Sequence, residues 1–386
     1  MSQAKGTTFY DLETPVLLLD EPCMQRNIER MQSRMNELGV AFRPHVKTSK
    51  CIQVAQRQQQ AGARGITVST LKEAEQFFAA GFDDILYAVG MAPSKFDHAL
   101  RLARQGATLT LVVESVAAAQ ALTAHGKANG HCHRVLIEVD TDGHRSGIKP
   151  TDPLLLQVAG ALNHDGGAGA RLCGVMTHAG GSYDLNTPQA LAAMAEQERS
   201  LCVLAAQRLR DAGHDCPVVS VGSTPTALNA RHLEGVTEVR AGVYVFFDLV
   251  MSGIGVCTPD DVALSVLCSV IGHRADTGWV ITDGGWMAMS RDRGTQKQAH
   301  DYGYGLVCDM HGQPVSGLVF DSANQEHGVL AWKGDAAENL AERFPLGSLL
   351  RIKPNHACAT GAQHGQYHVH GSEPVVSEVW PRFSGW

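Results

Sequence analysis

Short apolar runs alternate with amphipathic stretches from residue 22 to about residue 250. The first amphipathic stretch, residues 22–38, carries five apolar side chains between Met24 and Leu38 at spacings of three and four, as one face of a helix requires. Asp20 can cap the start of this helix, and Gly39 suits its end. The pattern therefore opens with a helix that has one face to bury.

Eight apolar runs of strand length follow, separated by further helical stretches. The predicted strands are VAFRPHV, GITVS, DILYAV, TLTLVVE, RVLIEVD, RLCGVMTH, PVVSVGS and VTEVRAG, and the predicted helices between them cover 50–61, 71–80, 94–105, 116–128, 152–162, 187–212 and 225–233. Near-continuous apolar runs are typical of parallel strands that are buried on both faces. Eight such units predict an α/β fold with a closed (β/α)8 TIM barrel. A doubly wound open sheet is the alternative, but no GxGxxG motif opens the first helix.

The pattern changes after residue 255. Segments such as ALSVLCSVIGHR, GWVITDGGW and SLLRIKP are short, rich in β-formers and punctuated by glycine and proline. They predict a C-terminal antiparallel β domain, to which TPVLLLD near the start can add a strand. We therefore predict a barrel over residues 22–255 and a β domain made of residues 1–21 and 256–386.

Composition and charge narrow the function classes. The formal net charge of −7 argues against a nucleic-acid partner, since such proteins usually show a basic face. No apolar segment is long enough to cross a bilayer, and the start lacks a signal-peptide core. Ten cysteines occur singly, without a CxxC pair, as reduced core thiols do. We expect a cytoplasmic enzyme with a small-molecule substrate and no membrane or nucleic-acid partner.

Candidate chemistry is sought at the carboxyl ends of the strands, where barrel enzymes carry their reactive groups. The first strand ends in RPHVK, and partial desolvation there would make the amine of Lys47 nucleophilic, although a solvated lysine is the alternative. The fifth leads into DTDGHRSG, whose Arg145 can hold a phenolate or carboxylate. The sixth leads into THAGGSY with His178 and Tyr183, which by itself could be a plain connection.

The seventh and eighth strand ends predict a phosphate site. Gly222-Ser223-Thr224 leads into a helix, so that backbone amides, two hydroxyls and a helix N-terminus suit a phosphate group. The eighth strand ends in RAGVY, whose Gly242 allows a second close approach of the backbone. Phosphate sites after strands seven and eight recur among barrel enzymes. A capped helix without a ligand is the alternative.

The β domain contains PNHAC, in which His356 and Cys358 lie two positions apart. On an extended strand, residues two apart project to the same side and can bind one ion. Two protein ligands leave coordination positions open for substrate, as a catalytic metal requires. A chance pairing is the alternative, and Glu326, His327 and His364 are further candidates that the sequence cannot pair with them.

Taken together, these segments resemble the fold-type III pyridoxal-phosphate enzymes, in the group of D-threonine aldolases and D-serine dehydratases. The resemblance covers nearly the whole chain and rests on TPVLLLD, RPHVKTSK, GITVSTLKEAE, EVDTDGHRSG, THAGGSY, VGSTPT, RAGVYVFFD, NQEHG and PNHACATG. It implies that Lys47 holds pyridoxal 5′-phosphate covalently and moves the α-proton of the substrate. Arg145 would face the 3-hydroxyl of the cofactor.

The resemblance also assigns the rest of the cofactor site. It implies that Tyr183 lines the ring pocket and that Arg240 faces the pyridine nitrogen. The residues that it places around the phosphate are Gly222, Ser223, Thr224, Gly242 and Tyr244. His356 and Cys358 would hold a divalent metal ion. A homodimer is also implied.

One departure inside the group bears on the reaction. D-threonine aldolases usually carry His-x-Asp where this chain has His356-Ala357-Cys358, the pattern of the D-serine dehydratase branch. A thiolate ligand favours Zn²⁺, with Mn²⁺ or Mg²⁺ as alternatives. The resemblance thus implies a dehydratase of D-3-hydroxy amino acids, foremost D-threo-3-hydroxyaspartate to oxaloacetate and ammonia, or D-serine to pyruvate. Retro-aldol cleavage and a non-catalytic cofactor carrier are the alternatives.

Overall fold

The structure, a computed structural model, describes residues 7–334 and 338–386. The described residues divide into two compact units. One unit comprises the residues up to Ile28 together with Val243–Ser384, and the other comprises Glu29–Gly242 with the last two residues. The predicted domain limits of 22–255 for the barrel, and of 1–21 with 256–386 for the β domain, stay a prediction.

The regular elements are numbered here in chain order. The strands are β1 (Thr7–Thr8), β2 (Val16–Asp20), β3 (Ala41–Phe42), β4 (Ile66–Val68), β5 (Asp84–Gly90), β6 (Thr108–Val113), β7 (His133–Glu138), β8 (Ala170–Met176), β9 (Val218–Val221), β10 (Glu238–Val239), β11 (Leu264–Arg274), β12 (Trp279–Thr282), β13 (Leu306–Cys308), β14 (Leu318–Ala323), β15 (Gly328–Trp332), β16 (Leu349–Lys353), β17 (Gln366–His370) and β18 (Val375–Pro381). The α-helices are α1 (Glu21–Glu37), α2 (Ile52–Gln60), α3 (Leu71–Ala79), α4 (Phe96–Arg104), α5 (Val116–Ala128), α6 (Leu154–Leu162), α7 (Pro188–Asp211), α8 (Thr224–Asn229), α9 (Leu249–Gly253), α10 (Trp286–Met289), α11 (Leu340–Arg343) and α12 (Ala357–Gly361).

Eight parallel strands build the sheet of the second unit, in the order β3-β10-β9-β8-β7-β6-β5-β4. The two ends of this sheet meet at a parallel bridge between His45 and Thr67. There Val46 N donates to Thr67 O at 2.9 Å, and Thr67 N donates to Pro44 O at 2.8 Å. The sheet is therefore closed, which confirms the predicted (β/α)8 barrel.

Side-chain caps fix the residue at which several strand-end loops turn into helix. Thr70, Ser115, Thr187 and Ser223 each precede a helix and accept a hydrogen bond from the backbone N–H three residues later. Each such cap stabilises a helix by roughly 1 kcal/mol. The last predicted barrel helix, 225–233, is shorter than expected, because the backbone becomes extended at Ala230.

The other unit is built on a ten-stranded sheet in which β2 lies between β11 and β17. Nearly all neighbours are antiparallel, as predicted, and β2 with β17 is the parallel pair. The predicted N-terminal strand TPVLLLD corresponds to β2. Short helices α9 to α12 interrupt the strands, and α12 carries Cys358.

Among the described residues, no helix combines the length and the apolar character that crossing a membrane requires. All ten cysteines lie in the described ranges, and none of them forms a disulfide bond. Seven of the ten are buried, as core thiols are.

Candidate active site

Lys47 lies just beyond the first barrel strand, in a segment that is otherwise well buried. Val46 and Thr48 are buried on either side, whereas Lys47 is exposed. The backbone N of Lys47 donates to His45 Nδ1 at 3.5 Å. The amine is therefore accessible to a ligand, but the described residues do not desolvate it to the extent that the sequence led us to expect.

Two histidines of the barrel share the surroundings of Lys47. Burial holds the pKa of His45 well below its usual value, and the charges of Lys47 and Arg240 lower it further. Burial also lowers the pKa of His178 to about 3, although its Nδ1 hydrogen-bonds Gly222 O at 2.9 Å. Both imidazoles are thus neutral at pH 7. Lys47, Arg145 and Arg240 are the cations that act on His178, and of these Lys47 and Arg145 are exposed.

The low pKa of His178 predicts that the cofactor-free protein becomes less stable as the pH is lowered. The unfolded chain takes up a proton near pH 6.5, whereas folded His178 resists protonation down to about 3. His178 therefore costs the folded state no stability above about pH 6.5, and it destabilises the folded state increasingly as the pH falls towards 3. Between pH 7 and pH 5 the expected loss is about 2 kcal/mol in the free energy of unfolding.

Urea unfolding of the cofactor-free protein at pH 7, 6 and 5 measures this loss. His178→Gln should remove about 2 kcal/mol of the pH dependence, whereas His232→Gln, at a half-exposed position, should leave it unchanged. An identical pH dependence in wild type and His178→Gln would contradict the assignment.

The structure brings Arg145, Tyr183 and Arg240 to the same imidazole. The ring centroids of Tyr183 and His178 are 6.2 Å apart, and both arginines contribute to the low pKa of His178. Arg145 leaves 57% of its side chain exposed and lies 3.4 Å from Glu138 Oε1, so it is available to a ligand. These predicted residues therefore form one region.

Arg240 is held within the barrel by the neighbouring strand ends. Its Nε donates to Ser220 Oγ at 2.8 Å, and its Nη2 donates to the carbonyl of Thr177. Burial lowers the pKa of this guanidinium, although the nearby carboxylate of Glu238 acts to raise it. The head group is thus fixed in orientation by its own chain.

The predicted phosphate loop is tightly built, and two of its amides are already bonded within the chain. Gly222 N donates to Glu198 Oε1 at 3.0 Å, and Ser223 N donates to Thr226 Oγ1 at 3.1 Å. At Gly242, a Cβ would come within 3.0 Å of His45 O. Gly242 therefore serves close backbone approach, while the amide of Gly222 binds Glu198 on α7 and the amide of Ser223 binds Thr226 in the helix that follows the loop.

Gly222→Ala should be strongly destabilising. Gly222 has a φ of +131°, and a Cβ there would overlap the backbone of Arg240. Strained backbone of this kind costs about 1–3 kcal/mol, to which the overlap adds. Gly213→Ala is the matched control, since Gly213 has a φ of +84° and open space around it. Urea unfolding of both variants isolates the overlap, and equal losses would contradict it.

Tyr244 and Thr224 complete the predicted cofactor set. Thr224 begins α8 and is buried. Tyr244 lies in the short 3-10 helix Val243–Val245 and is fully buried within the β-rich unit. The assignment of both residues to a phosphate stays a prediction.

His356 and Cys358 do not lie on an extended strand, so that expectation was wrong. His356 is the residue before α12, and Cys358 lies in the first turn of this helix. Their side chains nevertheless hydrogen-bond each other. The reason for their proximity is a helix start, at which an extended residue and a first-turn residue face one another.

Two carboxylates that the sequence did not single out fix this pair. Asp292 Oδ2 lies 2.6 Å from His356 Nδ1, and the buried Asp248 accepts a hydrogen bond from Ala357 N at 3.0 Å. Burial disfavours the charged imidazole of His356, but the hydrogen bonds with Asp292 and Cys358 outweigh it and raise its pKa to about 11. The chain thus orients both candidate ligands.

No group of three or more His, Cys, Asp or Glu side chains in the described ranges is arranged to hold a metal ion. Of the further candidates, His364 points its Nε2 at Ala288 O, 2.9 Å away. Glu326 and His327 are both exposed. Any metal ion held by His356 and Cys358 would therefore have two ligands from this set and open positions for other donors.

Comparisons with known proteins agree with both halves of this description. Residues 19–250 match the family model of the alanine racemase N-terminal domain, and residues 263–370 match that of the "Putative serine dehydratase domain". The first match alone covers more than half of the chain.

Relatives are similar over the whole length. The chain is 61% identical to a D-threo-3-hydroxyaspartate dehydratase of Delftia sp. (strain HT23), covering 98% of this chain and 99% of the relative. It is 28% identical to a D-serine dehydratase of Dictyostelium discoideum, covering 93% of each chain. It is 29% identical to a D-threonine aldolase of Arthrobacter sp., covering 97% of this chain and 93% of the relative.

Solved structures agree in fold. The Delftia dehydratase superposes with a TM-score of 0.96 at 61% identity, covering 98% of this chain and all of that one. Two variants of a D-threo-3-hydroxyaspartate dehydratase are also similar, a histidine-to-alanine variant at a TM-score of 0.96 and a metal-free cysteine-to-alanine variant at 0.95; each is 61% identical and covers 98% or more of this chain and 97% or more of its own. The chain therefore belongs to the pyridoxal-phosphate lyases that join an alanine racemase N-terminal domain to a serine dehydratase domain.

Proposed function

We propose that this protein removes water from a D-3-hydroxy amino acid, with D-threo-3-hydroxyaspartate as its substrate and oxaloacetate and ammonia as products. The observation that carries the proposal is the 61% identity, over 98% of the chain, to a dehydratase of that substrate. D-serine, which would yield pyruvate and ammonia, is the second candidate because D-serine dehydratases are also related.

The residues of the barrel fit pyridoxal phosphate. Burial lowers the pKa of His45 and His178, and the positive charges of Lys47 and Arg240 lower it further, so cations that can meet an anion lie near both imidazoles. The following residues would hold the cofactor: Lys47 at its aldehyde, Arg145 at its 3-hydroxyl, Tyr183 beside its ring, Arg240 at its ring nitrogen, and Gly222, Ser223, Thr224, Gly242 and Tyr244 around its phosphate. When bound, the cofactor withdraws electrons from the α-carbon of the substrate.

Lys47 then has a second task. Its exposed Nζ would also serve as the base that accepts the α-proton of the substrate. His45 and His178 stay neutral at pH 7, so they add no competing positive charge beside the amine. The side from which Nζ reaches the α-carbon would set the selectivity for D-amino acids.

His356 and Cys358 fit a soft divalent metal ion, and we propose zinc. Zinc binds an imidazole and a thiolate more readily than manganese or magnesium does, and these two ions are the alternatives. A solved metal-free variant of a D-threo-3-hydroxyaspartate dehydratase has a cysteine replaced by alanine, which supports a cysteine ligand here. When bound, the ion acts as a Lewis acid on the β-hydroxyl group of the substrate.

Asp292→Asn should weaken metal binding without removing a ligand. Asp292 Oδ2 holds His356 Nδ1, which leaves Nε2 for the ion. Loss of such an orienting carboxylate usually lowers metal affinity about 10- to 100-fold. Competition with a chromogenic chelator measures the affinity, and Asp276→Asn at an exposed position is the control. Unchanged affinity in Asp292→Asn would contradict the role.

The reaction balances without a redox partner. A proton leaves the α-carbon and hydroxide leaves the β-carbon, so one molecule of water is lost and an enamine is formed. The enamine tautomerises to an imine, which takes up water and releases ammonia. The net change from 3-hydroxyaspartate is loss of ammonia to give oxaloacetate.

A substrate panel with product identification tests the proposal. D-serine, D-threonine and both D-3-hydroxyaspartate diastereomers are supplied, and 2-oxo acids, ammonia, glycine and aldehydes are measured. We expect oxaloacetate and ammonia in equal amounts from the D-threo diastereomer. Acetaldehyde and glycine from D-threonine would instead identify an aldolase, and no turnover of any substrate would favour a cofactor carrier.

We also propose a homodimer and a cytoplasmic location. The dimer is what the resemblance to the fold-type III enzymes implies. The location is supported by the ten cysteines, none of which is in a disulfide bond in the described chain. Sedimentation analysis and cell fractionation test the two statements.

A further inference from the structure

Glu198 is a buried carboxylate in the middle of α7, where the reaction proposed above gives it no task. Only 2% of the residue is exposed. Its Oε1 accepts two backbone hydrogen bonds, from Ala179 N at 3.0 Å and from Gly222 N at 3.0 Å. The two donors follow the sixth and seventh barrel strands, so one oxygen joins two strand-end loops.

The position of Glu198 coincides with the end of the β-ladder. The last backbone hydrogen bond between the two strands runs from Thr177 N to Ser220 O at 3.0 Å. Beyond it, the amides of Ala179 and Gly222 both point at the carboxylate. Glu198 thus takes the place of the next rung of the sheet, at the point where the backbone must leave the strand and form the ligand-binding loops.

Further hydrogen bonds extend this junction to the predicted phosphate loop. Glu198 also hydrogen-bonds the Thr226 side chain. From Ala179, the carbonyl accepts a bond from Ser182 Oγ at 2.7 Å, and Ser182 Oγ lies 2.9 Å from Ser223 Oγ. The two loops are therefore joined both at Glu198 and through the serine pair.

We propose that Glu198 is a positioning residue that locks the Ala179 loop to the Gly222 loop and thereby sets the affinity of the barrel for the phosphate group of its cofactor. This inference rests on the proposed function, because it takes pyridoxal phosphate as the ligand. Glu198 does not touch the ligand in this account. It acts by fixing the backbone of Gly222 and the residues that follow.

The effect of removing the carboxylate follows from the two buried N–H groups. In Glu198→Ala both lose their acceptor, so the loops must move to find water or another partner. We expect the dissociation constant for pyridoxal phosphate to rise roughly tenfold or more. Glu198→Gln keeps one amide oxygen as an acceptor and should raise it less, by roughly two- to fivefold.

The experiment titrates cofactor-free protein with pyridoxal phosphate and, separately, with pyridoxal, which lacks the phosphate. Absorbance reports binding of both. Because Glu198 acts through the phosphate loop, Glu198→Ala should weaken the binding of pyridoxal phosphate much more than the binding of pyridoxal. Glu196→Gln controls for charge on the same helix, since Glu196 is half-exposed. Leu209→Ala controls for lost stability of α7, since Leu209 is buried in that helix.

The outcomes separate the two proposals. If wild type binds no pyridoxal phosphate, the proposed function is wrong and this inference falls with it. If wild type binds pyridoxal phosphate and both Glu198→Ala and Glu198→Gln bind it as tightly as wild type does, only the inference is overturned. The inference would also be overturned if Glu198→Ala weakened the binding of pyridoxal and of pyridoxal phosphate equally. The same holds if Leu209→Ala weakened the binding of pyridoxal phosphate as much as Glu198→Ala does. Should Glu198→Ala fail to fold, the ligand pair measured on Glu198→Gln decides in the same way.

Discussion

Lys47→Ala is expected to lose the visible absorbance of the bound cofactor and to lower kcat for D-threo-3-hydroxyaspartate by at least about 10³-fold. Lys47 is the exposed amine at the end of the first barrel strand, next to neutral His45. Its removal takes away both the covalent partner of the cofactor and the base at the α-carbon. Absorbance spectra and steady-state rates measure the two losses separately.

Two control variants distinguish the amine from its charge. Lys47→Arg keeps a cation at the same position but offers no amine that can bond to an aldehyde, so it should lose the absorbance as well. Lys72→Ala removes a lysine that is paired with Glu75 on α3, and it should leave spectrum and rate unchanged. An Lys47→Ala protein that retained the absorbance would refute the lysine assignment.

Cys358→Ala is expected to lose bound metal and to lower the dehydration rate by about 10²- to 10³-fold, because several kcal/mol of transition-state stabilisation come from such an ion. Cofactor absorbance should remain, since Lys47 belongs to the barrel and Cys358 to the other unit. Metal content by mass spectrometry, absorbance and rate are measured on the same sample. The combination, metal lost and absorbance kept, identifies the step that fails.

Matched variants make this result specific. Cys132→Ala removes a thiol of similar partial burial in the barrel and should keep both metal and activity. Cys358→Asp offers a carboxylate in place of the thiolate and should shift the metal preference from zinc towards manganese or magnesium. Full activity after exhaustive chelation of the wild type would remove the metal from the mechanism.

The fold was largely readable from the sequence because its signals are local. Most of the barrel strands lie in near-continuous apolar runs, and caps such as Thr70 and Ser115 lie directly between a strand and a helix. The number of βα units then leads to a closed barrel. The antiparallel β unit follows from the same kind of local pattern, whereas its parallel β2–β17 pair joins distant parts of the chain.

The candidate site shows the same contrast between local signals and contacts that join distant parts of the chain. The segments RPHVK, GST and HAC stand out as motifs because the residues to which we assign the chemistry lie close together in the sequence. The spacing of His356 and Cys358 predicted their contact, but the reason given for it was wrong, since a helix begins between them. A spacing of two is compatible with both backbones, and the sequence carries no cap signal strong enough to choose.

The opening pattern of apolar and polar positions thus determined the barrel, the β unit and the segments in which Lys47 and Cys358 stand. Only the tertiary structure decided which partners those segments meet. Glu198 reaches Ala179 and Gly222 across 19 and 24 residues, and Asp292 reaches His356 across 64. The physical reason is that periodicity records which side of an element is buried. A hydrogen bond between distant elements depends on register and side-chain direction, which exist only after the elements have packed.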